Sequence, residues 1–322
     1  MNTWTLGEPA AALPAATAAT IGFFDGVHEG HRHLMHIVSQ EAMQRGLTPL
    51  AITFDRHPRE VVAEGWQPLL LTTLQAKLRL IEQAGMDYCC VLPFSQQMAA
   101  MTARQFMHDV LKEQLHVKCL VIGYDHHFGH DRTAGFEQYR QYGREMGIDV
   151  VQGDMLGVQG RPVSSSEVRR LLSEGDVEAA ADCLGRPYEL SGTVGEGEHE
   201  GRRIGFPTAN ILPDDPRLVV PLAGAYIATA RTASDTADRP AMVNIGTRPT
   251  YGSHDQTIEV HIASFSGNLY GQRLTVAFRR RLRNEQRFSS PEALRRQLMS
   301  DLSAAEAYFK THTGAFCSIH QP

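Results

Sequence analysis

The chain has 322 residues, enough for about two domains at the roughly 150-residue scale of a typical domain, each long enough to bury its own core. Charged residues make up 21% and hydrophobic residues 42%, with Gly and Pro dispersed, which excludes a disordered or low-complexity chain. The net charge of −5 argues against a dedicated nucleic-acid binder, whereas a small anionic substrate needs only local basic groups.

Between Thr17 and about Cys183, short apolar runs rich in β-branched residues alternate with amphipathic stretches. The runs Ala19–Phe24, Leu50–Phe54, Tyr88–Leu92, Cys119–Gly123 and Ile148–Val151 predict strands. Gly30–Gln44, Leu74–Gln83, Ala103–Leu115 and Phe136–Met146 predict helices between them. Such alternation implies crossover connections and a parallel sheet, so residues 1–184 read as a doubly wound α/β domain. After Pro187 the texture changes to short alternating strands: Tyr188–Val194, Gly224–Ala230, Ala241–Ile245, Thr257–Ile262 and Arg273–Phe278. Separated by Gly, Pro, Asn and Asp clusters, they predict a β-barrel or sandwich over residues 185–322. Pro291–Phe309 predicts a closing helix with Leu294, Leu298, Leu302 and Ala305 on one face.

The five cysteines (Cys89, Cys90, Cys119, Cys183, Cys317) contain no C-x-x-C pair and fit reduced thiols. The first basic residue is Arg32, so no basic signal-peptide region precedes it, and no apolar run approaches the roughly 20 residues of a bilayer span. A cytoplasmic protein without membrane or nucleic-acid partners is expected, and nothing indicates an oligomer. Lysine occurs only at positions 77, 112, 118 and 310, never after Gly, so the Gly-Lys of a P-loop is absent. Any ATP site here has another architecture.

The segment Ile21-Gly22-Phe23-Phe24-Asp25-Gly26-Val27-His28-Glu29-Gly30-His31 falls where the first of these strands gives way to the first helix. Ligands gather at that edge of an open sheet, and the new helix offers free N–H groups and a positive dipole end. Gly26 and Gly30 permit a close turn, and His28 and His31 place two donors within one turn: a phosphate cradle built without lysine. Histidine pairs near helix starts are also common surface features, and Ser164 with Glu167 has plain capping-box spacing. Three later segments nevertheless converge on the same edge: Thr53-Phe54-Asp55-Arg56-His57-Pro58, Gly123-Tyr124-Asp125-His126-His127-Phe128-Gly129, and Pro162–Arg169. The last puts Ser165, Ser166 and Arg169 around a second helix N-terminus, and two cradles at one edge suit a triphosphate.

Gly-x-Phe-Asp-Gly-Val-His-x-Gly-His, Thr-Phe-Asp-x-His-Pro and the Ser-Ser-x-x-x-Arg helix start together resemble the adenylyltransferase half of bacterial bifunctional riboflavin kinase/FAD synthetases. The resemblance implies a nucleotidyltransferase domain that transfers AMP from ATP to FMN with Mg²⁺, giving FAD and pyrophosphate. It implies that His28, His31 and Arg169 stabilise charge developing on the ATP phosphates, with Gly22, Phe23, Asp25, Gly26, Ser165 and Ser166 at the ATP site and His57 and Asp125 toward FMN. Arg56 replaces a common proline, Ser166 a common threonine, and His126-His127 an aromatic–arginine pair.

In the second half, Gly201-Arg202-Arg203-Ile204-Gly205-Phe206-Pro207-Thr208-Ala209-Asn210 sets a hydroxyl and an amide two residues apart, on one face if the chain is extended. That is a plausible hard-oxygen site for Mg²⁺ and phosphate, although Pro-Thr-x-Asn is also a common turn. Thr257–Ile262 puts Ile258, Val260 and Ile262 on one face and Glu259 with His261 on the other, which suits either a half-solvated strand or a general base at Glu259. These segments occur with Gly224-Ala225-Tyr226, Asn244–Thr250, Leu269-Tyr270-Gly271 and Leu282-Arg283-x-Glu285-x-x-Phe288 in the order of the riboflavin kinase domain, which the chain also resembles. That likeness implies a small Greek-key β-barrel that phosphorylates riboflavin from ATP. It implies ATP and Mg²⁺ at Gly201, Arg202, Thr208 and Asn210, a proton acceptor at Glu259, and flavin near Arg283, Glu285 and Phe288. The rival expectations are a nucleotidyltransferase for another phosphorylated acceptor, and a flavin-binding derivative without chemistry.

Overall fold

Apolar runs of the first half form a single parallel sheet in which both faces of the central strands are covered, so they are apolar almost throughout rather than alternating. The computed structural model describes residues 1–8, 14–63, 65–124, 127–130, 135–158, 160–197, 201, 204–235, 237–247 and 256–312. Chain contacts divide it into two units, Met1–Ser165 and Ser166–Pro322.

The sheet unit holds β1 (Asn2–Thr5), β2 (Thr17–Ile21), β3 (Thr48–Phe54), β4 (Tyr88–Leu92), β5 (Val117–Ile122) and β6 (Asp149–Gln152), in the spatial order β1-β4-β3-β2-β5-β6. Every pairing among them is parallel. β1 is an edge strand that the sequence pattern does not signal, because Asn-Thr-Trp-Thr is short and mostly polar. α1 (Glu29–Arg45) lays Met35, Val38 and Ala42 on the sheet and ends at Gly46 in the left-handed conformation. Further along come α2 (Pro58–Val62), α3 (Leu74–Gln83), capped by Thr73, and the one-turn α4 (Gln96–Ala99).

The expected helix Ala103–Leu115 takes a different form. α5 (Ala103–Gln105) gives way to a π-helical run over Phe106–Lys112, with i→i+5 bonds from Glu113 N–H to the His108 carbonyl (3.1 Å) and from Leu115 N–H to the Val110 carbonyl (3.0 Å). The wider turn accompanies burial of Phe106, Met107, Val110 and Leu111, two adjacent pairs, on the core side. α6 (Phe136–Met146) follows as expected, and a two-residue hairpin, β7 (Gly157–Val158) and β8 (Arg161–Pro162), leads to α7 (Ser165–Glu174).

In the second unit, α8 (Val177–Leu184) is a short helix that the strand pattern conceals. Arg280 donates to Glu178 (3.0 Å), and Leu222 N–H to the Leu172 carbonyl (3.0 Å), so α7 and α8 flank the strands of their own unit. Those strands are β9 (Tyr188–Gly195), β10 (Ala209–Pro213), β11 (Gly224–Thr232), β12 (Arg239–Thr247), β13 (Gln256–Ile262) and β14 (Arg273–Asn284). They close an antiparallel barrel in the order β10-β13-β12-β11-β14-β9, with β9 pairing back to β10. β11, β12 and β13 form a meander and β14 returns beside β11, which is the Greek-key arrangement. α9 (Pro291–His312) sets Leu302, Ala305 and Phe309 against Phe206, Ile227 and Met242.

Candidate active sites

β2 and β5 are neighbours, yet the chain leaves β2 toward β3 on one side and β5 toward β6 on the other. Their carboxyl ends therefore form the crevice where an open parallel sheet collects a ligand. Residues 22–28 emerge there in a strained form: Phe24, Gly26 and Val27 have φ of 53°, 78° and 38°, costly for Phe and for β-branched Val. Hydrogen bonds hold that form in place. The buried Asp25 carboxylate accepts from the N–H groups of Leu71 (2.9 Å) and Thr72 (3.0 Å) and from the Thr72 hydroxyl (3.2 Å). Gly26 N–H donates to Thr72 Oγ1 (3.1 Å), and the Ser165 hydroxyl donates to the Asp25 carbonyl (2.9 Å). The Asp25 side chain thus shapes the loop from within.

The same loop delivers His28 to the start of α1. Its Nδ1 accepts from His31 N–H (3.3 Å), capping the helix and placing the proton of the neutral ring on Nε2. The two imidazoles stack with centroids 3.5 Å apart, and Phe24 meets His31 edge-on at 5.2 Å. Ring donors and the positive end of a 17-residue helix thus lie together at the sheet edge.

After β3, the Asp55 carboxylate accepts from Phe94 N–H (2.9 Å) and pairs with Arg56 (3.1 Å). His57 caps α2, with Nδ1 accepting from Arg59 N–H (3.1 Å) and Glu60 accepting from His57 N–H (3.0 Å). Its ring packs edge-on against Phe23 (4.8 Å) and tilted on Trp66 (4.9 Å), forming an aromatic ledge beside the cradle. Trp66 carries no motif in the sequence and stands out only once the ledge is assembled. Gly22 is buried at the head of the strained loop. Ser166 and Arg169, exposed and half-buried on α7, belong to the second unit. Asp125, His126 and Arg202 lie outside the described residues.

In the barrel, register does the work that loops do in the sheet. Asn210 on β10 faces Glu259 on β13, Glu259 faces Asn244 on β12, Asn244 faces Ala225 on β11, and Ala225 faces Arg283 on β14. Residues opposite one another point to the same face, so one row crosses five strands and lines a cavity of about 260 Å³. One step along, Thr208 Oγ1 lies 3.5 Å from Glu259 Oε2, and His261 Nδ1 donates to the Pro207 carbonyl (2.9 Å), pinning the chain just before Thr208. Thr208 also lines a second cavity of about 580 Å³ with Val194, Phe265, Asn268, Leu269 and Tyr270. A methyl group on Gly197 would stand 1.8 Å from Asn210 Nδ2, so glycine lets this loop lie over the amide without displacing it.

The first cavity is apolar on one side, at Phe206, Leu282, Phe288 and Leu298. Arg283 and Glu285 line it as well, but the Arg283 guanidinium is held by buried Asp301, with Nη2–Oδ2 at 2.8 Å and Nε–Oδ2 at 3.0 Å, and lies 5.7 Å from the Phe288 ring. Asn244, which opens the Asn244–Thr250 segment of the sequence, joins the site through the β12–β13 register. Among the described residues no group of three His, Cys, Asp or Glu forms a metal cage. The hydroxyl of Thr208 and the amide of Asn210 are instead the hard-oxygen donors suited to a magnesium ion that arrives with phosphate, and the Glu259 carboxylate stands beside them.

Comparison with known proteins adds independent findings. The FAD synthetase family profile matches residues 11–167, and the riboflavin kinase family profile matches residues 184–309. The chain is 37% identical over 290 residues to a protein of Escherichia coli named bifunctional riboflavin kinase/FMN adenylyltransferase, covering 90% of this chain and 92% of that one. A Bacillus subtilis protein of the same name is 32% identical over 300 residues, covering 92% and 93%. Among solved structures, one titled as a macrolide-efflux protein from Streptococcus pneumoniae superposes with a TM-score of 0.85 at 26% identity, covering 95% of this chain and 99% of that one. No helix among the described residues here is long and apolar enough to cross a membrane.

Proposed function

This chain belongs to the bifunctional riboflavin kinase/FMN adenylyltransferase family, and on that premise we propose that the barrel unit carries out the phosphorylation and the sheet unit the adenylyl transfer. The enzyme uses one ATP to convert riboflavin to FMN and a second to convert FMN to FAD and pyrophosphate.

In the barrel the carrying observation is the Asn210–Glu259–Asn244 row with Thr208 at the junction of two cavities. Riboflavin occupies the 260 Å³ cavity, its ring system against Phe206, Leu282 and Phe288, and ATP enters from the Tyr270 side. Glu259 accepts the proton of the ribityl 5′-hydroxyl as that oxygen attacks the γ-phosphorus, and ADP departs. Thr208 and Asn210 would hold a magnesium ion, which when bound neutralises charge on the transferring phosphate. Arg283 closes the flavin side, oriented by Asp301.

In the sheet unit an FMN phosphate oxygen attacks the α-phosphorus of ATP, and pyrophosphate leaves. His28 and the N-terminal N–H groups of α1 offer donors to the charge that develops on the leaving phosphates. The Phe23–His57–Trp66 ledge supports the flavin. No covalent enzyme intermediate is required, because positioning and electrostatics suffice for in-line displacement. A cytoplasmic location is supported by four described cysteines that are buried and unbridged.

Incubating the pure protein with riboflavin, ATP and Mg²⁺ and following the flavins by chromatography tests the reading. FMN should rise transiently and FAD should follow. Absence of both products, with FMN supplied or not, would send the search to other phosphorylated acceptors.

A further inference from the structure

Lys77 stands on α3 within the stripe marked by Leu74, Leu78 and Ile81, and it is buried, 3% exposed. Its Nζ donates to the carbonyls of Phe23 and Phe54, each at 3.0 Å, and lies 4.2 Å from the centroid of the Phe23 ring. Phe54 is the last residue of β3 and immediately precedes Asp55; Phe23 opens the strained loop that contains Asp25. The Phe23 carbonyl also accepts from the Thr53 hydroxyl (3.2 Å), a second tie between the same two chain segments. Meanwhile the Asp25 carboxylate holds Leu71 and Thr72, the residues just ahead of α3. The contacts close a circuit: Asp25 fixes the approach to α3, and Lys77 on α3 returns to fix the carbonyl two residues before Asp25.

Burying an ammonium is expensive, and methionine fills similar space without that cost. Two well-formed bonds to strand-end carbonyls at a ligand crevice are a reason to bear it. We propose that Lys77 is a positioning residue for adenylyl transfer: it ties the loop that leads to His28 and the start of α1 to the loop bearing His57, so that the nucleotide and acceptor sides of the site keep one spacing. The proposal rests on the reading of the sheet unit as the adenylyl-transfer site.

The groups facing Lys77 are the carboxylates of Asp25 and Asp55 and the thiol of Cys89, which burial pushes up to about 12 and so keeps neutral. Both carboxylates favour the ammonium, but burial outweighs them and lowers Lys77 from 10.5 to about 8. Bonds from a charged donor are roughly twice as strong as neutral ones, so the clamp weakens when the proton leaves. Adenylyl transfer should therefore fall as pH rises through about 8. Stability moves the other way: between about 8 and 10.5 the unfolded chain keeps a proton on Lys77 that the folded chain has lost, so rising pH favours the folded form. A merely structural lysine would give no alkaline fall in activity.

The test uses the full-length enzyme, assayed for FMN adenylylation and riboflavin phosphorylation from pH 6.5 to 9.5 (roughly the span around neutrality that brackets the shifted lysine). Lys77→Met should lower kcat/KM for adenylylation about 10- to 100-fold at neutral pH, leave phosphorylation within about twofold, and show flat residual adenylylation where the wild type falls. Lys77→Arg, charged at every assay pH, should restore part of the activity and also lose the alkaline fall. Adenylylation by Lys77→Met at the wild-type rate, or the same alkaline fall persisting in it, overturns the proposal. If Lys77→Met does not fold, Lys77→Arg decides alone: the fall disappears if Lys77 causes it and stays if it does not. A wild type that phosphorylates riboflavin but makes no FAD overturns instead the adenylyl-transfer reading on which the proposal stands.

Discussion

The two sites solve the same problem, holding ATP against a flavin, by opposite means. In the sheet unit the candidate groups leave strand ends on a loop with three left-handed residues, and hydrogen bonds from within the unit hold that loop in shape. In the barrel the groups stand on strand faces, and the ladder itself sets their spacing. A loop site concentrates its chemistry in contiguous sequence but needs extra bonds to stay rigid; a strand site disperses its residues from position 208 to 283 and inherits rigidity from the barrel.

That contrast can be broken experimentally, beginning with the largest expected effect. Asp301→Ala strands the Arg283 guanidinium beneath the flavin cavity, where the pair is only 7% and 13% exposed, and removing one partner of a buried ion pair costs about 3–5 kcal/mol. Chemical denaturation should show the loss, together with a raised KM for riboflavin and unchanged FMN adenylylation. A variant of wild-type stability would mean that the barrel end does not depend on this pair.

Asp25→Ala should be comparable in stability and sharper in function. It leaves the Leu71 and Thr72 N–H groups short of their acceptor, a cost of about 1–3 kcal/mol per buried group, and releases the strained loop that presents His28. Adenylyl transfer should drop by more than tenfold while phosphorylation holds, since a small displacement of positioned groups has a steep effect on rate. Equal loss of both activities would contradict one site per unit. The smallest of these effects belongs to Gly197→Ala, whose methyl group must push Asn210 aside; riboflavin phosphorylation should fall about tenfold without a measurable change in adenylylation.

Much of the architecture was legible in the sequence because periodicity is a local property. Tyr88–Leu92, Leu74–Gln83 and Phe136–Met146 have the bounds their patterns imply, and the other expected strands differ by a few residues at their ends except Arg273–Phe278, which runs on to Asn284. β10, which carries Asn210, was legible only as a conditional extension at Thr208–Asn210. Three further misses share a cause. β1 is four mostly polar residues recruited to a sheet edge, α8 is two turns hidden before the barrel, and the π-helical run answers to packing that a 3.6-residue pattern cannot express.

The sites divide along the same line. His28, His31 and Asp25 were legible as a contiguous motif, although the inward aim of Asp25 was not, because its partners lie 46 and 47 residues away. Thr208, Asn210 and Glu259 were legible as separate fragments; that Asn210 faces Glu259 follows from register, and Thr208 meets Glu259 just before the strand begins. Lys77 reads in sequence as one polar residue of an amphipathic helix, and its place in the apolar stripe between Leu74 and Ile81 was the signal available. Asn244 was legible only as the head of the Asn244–Thr250 segment, with no role attached, and Trp66 had no signal at all.

The most direct measurement crosses two variants with two assays. Glu259→Ala and His28→Ala are each tested for phosphorylation of riboflavin and, separately, for adenylylation of supplied FMN. Loss of the positioned base should lower phosphorylation by about 10²- to 10⁴-fold with adenylylation intact. Loss of the capping imidazole should lower adenylylation by about 10²-fold or more with phosphorylation intact. Folded variants in which either substitution removes both activities, or neither, would contradict the assignment of one reaction to each unit.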